Sequence, residues 1–444
     1  MALSIALPIE GVDPFCQLSL LDEDKQFRFL WDEAPGLCFV ASGRCQHFEM
    51  NGPRRFELAQ RFSDESLGRL IDLTPKAPKH SLPRTLFAFS FFEQTSDKNL
   101  SLGSPPSVQA VLPKWQLSVK GIHSWLRLNA VISTESQQRQ FVEEIWCMKE
   151  KLLETCNINR IYLQKNNYLV STSQSWENHY LPALMRGIDL VNSGDLKKLV
   201  LAVRQTISFK CQVDPLPILY NLRKNYKNSC RFLWQGINKE AFFGASPERL
   251  LSLNQGQIQI DALAGTAPKN GNGQSLLTSE KDLREHHYVV SSIISKLSSH
   301  GLKPFHFKHP KLSKYGELIH LHTPIIASAI GHKPLSLASF LHPTPAVAGL
   351  PRRHAMTWLR TLEPFERGYY AAPIGWIDSF GNSELRVAIR CGYIKGNQLE
   401  LTAGAGLVRG SLPEKELQEV ALKLGVLADQ INLQPNFFNR RSIT

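Results

Sequence analysis

The sequence predicts an α+β layered fold rather than a βαβ repeat, and three stretches carry that expectation. KLVLAVRQTISF, from Lys198, is a nearly continuous apolar run rich in Val, Leu and Ile, as in a strand buried on both faces. SELRVAIRCGYIKGNQLELTAGAG alternates Leu385, Val387 and Ile389 to one side, turns at Gly396-Asn397 and resumes with Leu399 and Leu401, which reads as an antiparallel hairpin. Helices are expected at about Ser279 to Ser299, with an apolar stripe of Leu283, Val290, Ile293, Ile294 and Leu297, and at about Pro413 to Ile431, where proline suits the first turn.

The remaining elements follow in chain order. The first 180 residues hold strand-like runs such as RTLFAFSFF and AVLPKWQLSV and a long helical pattern around STESQQRQFVEEIWCMKEKLLETC, divided by Pro and Ser breaks. Nothing in this part discloses a function. From Leu181 a helical LPALMRGIDLVNSG leads into the KLVLAV strand, and RFLWQGI, AFFGA, RLLSL and QIQIDAL read as further strands. LKPFHFKHPKLSKYG, Leu302 to Gly316, is the one locally basic segment and reads as a solvated loop. No repeat or low-complexity linker cuts the chain, so one large domain over 1–444 is expected, with a variable part over 1–180 and a catalytic part over 181–431.

Composition narrows the function classes. With 43% hydrophobic and 20% charged residues, the chain is neither disordered nor fibrous. The opening MALSIALPIEGVDPF carries Glu10 and Asp13 and matches no signal or transit peptide, and no apolar run reaches the length of a membrane span, so a cytoplasmic protein without a membrane partner is expected. Eight cysteines without a CxxC pair are expected to be reduced thiols. A formal charge of +12 suits nucleic acid or an anionic metabolite. No basic stripe interleaved with aromatics is present, so the small anion is expected and nucleic acid is not.

Several residue types could carry chemistry on such a ligand. Lys198 opens a greasy strand, where lost hydration favours a neutral amine able to act as a base; the alternative is a strand-end lysine reaching solvent. Glu248, in the tight GASPERL turn, is a candidate general acid or a partner of Arg249. Glu285 and Glu419, on separate predicted helices, could converge on Mg²⁺ or form surface ion pairs, Glu419 with Lys423 four residues on. Arg390 offers a planar fork for a carboxylate, and His320 a donor; each also suits a purely structural place. Two small-residue turns, Ala264-Gly265-Thr266 and Gly404-Ala405-Gly406, permit close approach of backbone NH groups to an anion. LTAGAGLVRG is not a dinucleotide loop, because Gly410 comes one position too late for GxGxxG.

Taken together, KLVLAVR, FFGASPERL, ALAGT, SEKDLREH, LIHLHTP, LHPTPAVAGLPR, ELRVAIRCG and TAGAGLVRGSLPEKELQE, in this order from about Gly187 to Ile431, resemble the chorismate-utilising enzymes. The resemblance implies two stacked, mainly antiparallel β-sheets with helices packed outside. It implies Lys198 as the water-activating base, Glu248 as the general acid, and Glu285 and Glu419 as ligands of a Mg²⁺ cofactor. His320, Arg390, Lys423 and the turns at Ala264, Gly265, Thr266, Gly404, Ala405 and Gly406 match positions that hold the two carboxylates of chorismate. A lysine at 198, where ammonia-using anthranilate synthases usually have glutamine, and Ala264, where aminodeoxychorismate synthases usually have lysine, point to the branch that adds water and needs no amidotransferase subunit. Salicylate synthases share the base and acid and are the nearest alternative. Leu417 stands where tryptophan is common and Ile260 where threonine is frequent; neither change removes a catalytic group.

Overall fold

A computed structural model describes residues 1–21, 27–33, 36–93, 105–155, 171–172, 176–236, 238, 240–269 and 273–431. Two large sheets organise the chain, one of 13 strands and one of 10, among the described residues. Nearly all neighbouring strands run antiparallel; Ala2–Ile9 beside Leu70–Asp72 is a parallel exception. Helices from Arg55–Gly68 to Pro413–Ala428 flank the sheets, so the α+β expectation holds. One continuous core joins residues from both sheets and from both ends of the chain. Phe39 of the first sheet, for instance, meets Trp376 of the second edge to face at 6.3 Å.

The KLVLAV run is the strand Lys198–Ser208, and its unbroken apolar character follows from its place inside the larger sheet, paired along its length with Gln398–Leu407. The expected hairpin over Ser383–Gly406 is only half right. Ser383–Val387 belongs to the smaller sheet, whereas Cys391–Lys395 and Gln398–Leu407 form a hairpin in the larger one. The chain changes sheet at Ala388-Ile389-Arg390, where Arg390 takes a left-handed φ of 53°. Alternation of apolar residues marks buried faces but does not say which sheet owns them. The basic segment from Leu302 is likewise not all loop, for Phe305–His306 and Lys311–Tyr315 pair with Leu318–Ser328. Seven cysteines are free thiols, as expected, and Cys156 lies outside the described residues. No described helix is long and apolar enough to cross a membrane.

Candidate active site

The two sheets face each other around a cavity into which the expected residues converge. Val200, Gly404 and Gly406 line it from the larger sheet, Ala264, Gly265 and Thr266 from the smaller, and Glu285 and Glu419 from the two helices. Lys198 adjoins it at the strand mouth. Its Nζ lies 3.0 Å from Glu285 Oε1, with the side chain fully buried. The distance is that of an ion pair, but the angle makes no proper hydrogen bond, so the buried ammonium keeps donor capacity in reserve.

Gly406 explains how those two side chains meet. A Cβ built there would stand 2.2 Å from Glu285 Oε1 and 3.2 Å from Lys198 Cε. At Gly404 it would lie 2.7 Å from the Leu201 carbonyl oxygen on the adjacent strand. The glycines are therefore required first by packing of these side chains and strands. Ala405, grouped with them in the sequence, is fully buried and does not line the cavity, whereas Thr402 and Ala403 do.

On the opposite wall, the strand Gln257–Pro268 is bulged between Ala264 and Thr266, and Gly265 supplies the positive φ of 77°. The bulge aims Thr266 at two partners: its hydroxyl donates to Glu419 Oε1 at 3.2 Å and lies 3.3 Å from His320 Nδ1. Arg390 Nη2 donates to His320 Nε2 at 3.1 Å, which assigns the ring proton to Nδ1, where it meets the Gly265 carbonyl at 3.1 Å. Burial first, then Arg390, pulls the His320 imidazole down to about 3, so it is neutral and fixed in one tautomer. Arg390 retains Nη1 buried without a partner. That guanidinium edge and the Lys198 ammonium are two unspent donors at one cavity.

The acids divide by environment. Glu248 is 3% exposed in its turn, which is closed by Ser246 Oγ donating to the Val387 carbonyl at 2.6 Å. Desolvation outweighs the pull of Lys198 and raises its carboxyl to about 8, so it is protonated at neutral pH. Burial acts upward on Glu419 too, but Lys423 and Lys281 more than reverse it and bring it down to about 2. Lys423 Nζ is 2.5 Å from Glu419 Oε1 and donates to the Gly404 carbonyl at 2.8 Å. A proton-bearing acid and an ionised one thus share a single cavity.

Glu285 and Glu419 both line the cavity and offer hard oxygen donors. Among the described residues no three His, Cys, Asp or Glu side chains are grouped to enclose a metal. Mg²⁺ commonly takes only one or two carboxylates and completes its shell with water and substrate oxygens, so this donor set fits it.

Tyr370, Ile389, Thr402 and Ala346 also line the cavity and were not anticipated. Thr402 was within reach of the sequence, since it shares a strand face with Gly404 and Gly406; Tyr370 follows from no local pattern. Glu416 is another buried acid, paired with Lys281 at 2.6 Å outside the wall.

A family described as chorismate binding enzyme matches residues 1–432. The isochorismate synthase MenF of Bacillus subtilis is 34% identical over 272 residues, 59% of this chain and 58% of that protein. The salicylate biosynthesis isochorismate synthase of Pseudomonas aeruginosa is 36% identical over 260 residues, 55% of this chain and 53% of that protein. The chain thus aligns with a little over half the length of these relatives. Among solved structures, the menaquinone-specific isochorismate synthase MenF of Escherichia coli superposes with a TM-score of 0.75 at 25% identity, covering 97% of this chain and 95% of that one. Anthranilate synthase component I of Streptococcus pneumoniae shares the fold, with a TM-score of 0.70 at 17% identity over 88% of this chain and 92% of that one.

Proposed function

Since the chain belongs to the chorismate binding enzyme family, we propose that it is an isochorismate synthase, interconverting chorismate and isochorismate by adding water at C2 and losing the C4 hydroxyl. The observation that carries this reading is the pairing of a buried amine, Lys198, with a carboxyl still protonated at neutral pH, Glu248, around one cavity. Lys198, once it has released the proton of its ion pair with Glu285, takes a proton from the entering water as the new C2–O bond forms. The ring double bonds shift and the C4–O bond breaks. Glu248 gives its proton to the departing oxygen, which leaves as water, and the two groups exchange roles in the reverse direction.

Arg390, with a free Nη1, and Lys423 are placed to hold substrate carboxylates, and His320 keeps Arg390 in position. Glu285 and Glu419 would hold Mg²⁺, whose chemistry here is to neutralise and orient a carboxylate of the ligand. A lysine at 198 and an alanine at 264 favour water over ammonia as the nucleophile.

The test is a chorismate assay with and without Mg²⁺, with products separated by chromatography. Isochorismate formed only with Mg²⁺ supports the proposal. Salicylate with pyruvate assigns the chain to the salicylate-forming reaction, and no turnover refutes an enzymatic role.

A further inference from the structure

His322, the second histidine of ELIHLHTPI, has no part in the mechanism above, yet it is buried and both its ring nitrogens are bonded. Its Nε2 meets Asp261 Oδ1 at 3.0 Å, and its Nδ1 meets Ser313 Oγ at 2.9 Å. Asp261 is buried as well. Burial acts upward on its carboxyl, but the bond from His322 and the nearby Arg249 more than reverse that and hold it below the usual aspartate range. An ionised carboxylate only accepts hydrogen bonds, so the proton shared with Asp261 sits on Nε2.

Pleating places this trio one step beyond the cavity wall. Residues two apart in a strand point to the same side, so Asp261 shares a face with Leu263, and His322 with His320. Leu263 and His320 both line the cavity. Leu263 stands opposite His322 where Gln257–Pro268 pairs with Leu318–Ser328, which makes Asp261 and His322 diagonal neighbours on that face. Ser313 reaches the same ring from Lys311–Tyr315, the next strand of the sheet.

The other oxygen of Asp261 faces the turn that carries Glu248. Arg249, the next residue, brings Nη1 to 3.4 Å from Asp261 Oδ2 and donates from Nε to Glu384 Oε1 at 2.7 Å. On the main chain, the Glu248 carbonyl accepts from the Val387 amide at 3.1 Å and the Glu248 amide donates to Ser246 Oγ at 3.2 Å. Backbone bonds fix the turn on one side and Arg249 fixes it on the other. Lys198, Asp261, Arg390 and Lys423 face Glu248 from other elements, Tyr315 is close by, and Glu285, His320 and Glu419 share its cavity. After burial, Asp261 is the strongest influence that keeps a proton on Glu248, against the pull of Lys198.

We propose that Asp261, held by His322 and Ser313, is a positioning residue for Glu248: it anchors Arg249 and sets a fixed negative charge behind the turn that bears the acid. The inference rests on the acid–base reading of the cavity and adds to it a group that touches neither substrate nor reacting atoms. Lys198 and the other cations draw the proton off Glu248, and the Asp261 carboxylate opposes them. His322 keeps that carboxylate from turning to Arg249 alone, and Ser313 fixes the ring.

The test reads Glu248 through stability and through turnover. E248Q removes the acid, so the gap in urea midpoint between E248Q and its parent, taken at pH 5.5 and 7.5, reports where Glu248 ionises in the folded chain. With the carboxyl at about 8 the parent loses stability across that whole window and the gap widens throughout; with a lower value the loss stops part-way and the gap widens less. D261N is expected to lower the pH at which Glu248 ionises by about one unit or more, the order of a nearby like charge, and so to reduce the widening. H322F, which keeps a ring and removes both its bonds, is expected to reduce it less. The alkaline limb of chorismate turnover moves to lower pH in the same order. A widening or a limb that stays unmoved in D261N overturns the proposal, since a carboxylate that only holds strands together would lower stability equally at both pH values. If D261N does not fold, H322F decides in the same way. An unaltered chain without turnover refutes the isochorismate synthase reading instead, and the urea comparison, which needs no substrate, still decides about Asp261.

Discussion

The cavity around Glu248 and Glu285 and the one lined by Arg55, Arg352, Arg353 and Arg360 both draw on the segment 343–347, yet they differ in how far side chains fill them. In the first, Lys198 meets Glu285 and Lys423 meets Glu419, and the side chains leave only about 60 Å³ of free space. In the second, Arg55, Arg352, Arg353 and Arg360 line an open cavity of about 510 Å³ together with Glu93, and Arg360 stands 3.9 Å from Glu366. A paired, filled cavity is preorganised, and a ligand entering it must take over existing ion pairs. Such an arrangement suits chemistry, where geometry must be fixed before reaction.

Removing the base gives the largest contrast. Lys198→Ala is expected to lower chorismate turnover by about 10²–10⁴-fold, the usual worth of a positioned proton acceptor, with the circular dichroism spectrum unchanged. Arg353→Glu, in the second cavity, is expected to leave turnover within about twofold, since exposed helix residues away from the chemistry carry little energy. Full activity in Lys198→Ala removes that residue from the mechanism.

The glycines separate packing from catalysis more finely. Gly406→Ala drives a methyl to 2.2 Å from Glu285 Oε1, so Glu285 must swing away from Lys198. A fall in turnover of about tenfold or more is expected, with an overpacking cost of about 1–3 kcal/mol. Gly265→Ala meets nothing closer than 3.4 Å, and its difficulty is the backbone, held at φ 77°. Stability is expected to fall by about 1–2 kcal/mol with turnover nearly retained. Urea unfolding and steady-state assays on the two variants read both effects, and a reversed pattern would break the assignment of Gly406 to the catalytic wall.

How much of this could be read in the sequence differs between the two cavities for the same reason. Lys198, Glu248, Glu285 and Glu419 stand in distinctive local runs, and so their identity as a set was legible. Their meeting was not: the 3.0 Å contact from Lys198 to Glu285, or the bond from Arg390 to His320, 70 residues apart, depends on two sheets folding over one another. The small residues Gly404-Ala405-Gly406 read as a turn, but they lie within the strand Gln398–Leu407, where Gly404 and Gly406 line the cavity and Ala405 does not. Local alternation also misread Ser383–Lys395 as part of a single hairpin, since alternation is identical in either sheet. The second cavity was invisible, for it needs Arg55 from a segment whose role the sequence does not disclose beside a helix some 300 residues later.

The subtlest expectation concerns stability. Glu248 keeps its proton in the folded chain up to about pH 8, against an ordinary value of 4.5. Between those limits the folded state binds one proton more than the unfolded state, so this group makes stability fall as pH rises. The slope is about 1.4 kcal/mol per pH unit, or about 3 kcal/mol accumulated by pH 7. Glu248→Gln has no proton to lose and removes that slope. The variant is therefore expected to be inactive but, relative to the unaltered chain, steadily more stable from pH 5 to pH 8. Urea midpoints at pH 5.5 and 7.5 measure the difference, and contributions from other titrating groups cancel between the two proteins. A gap independent of pH would show that Glu248 ionises like a solvent-exposed acid, and the catalytic cavity would then lose the proton donor that distinguishes it from its neighbour.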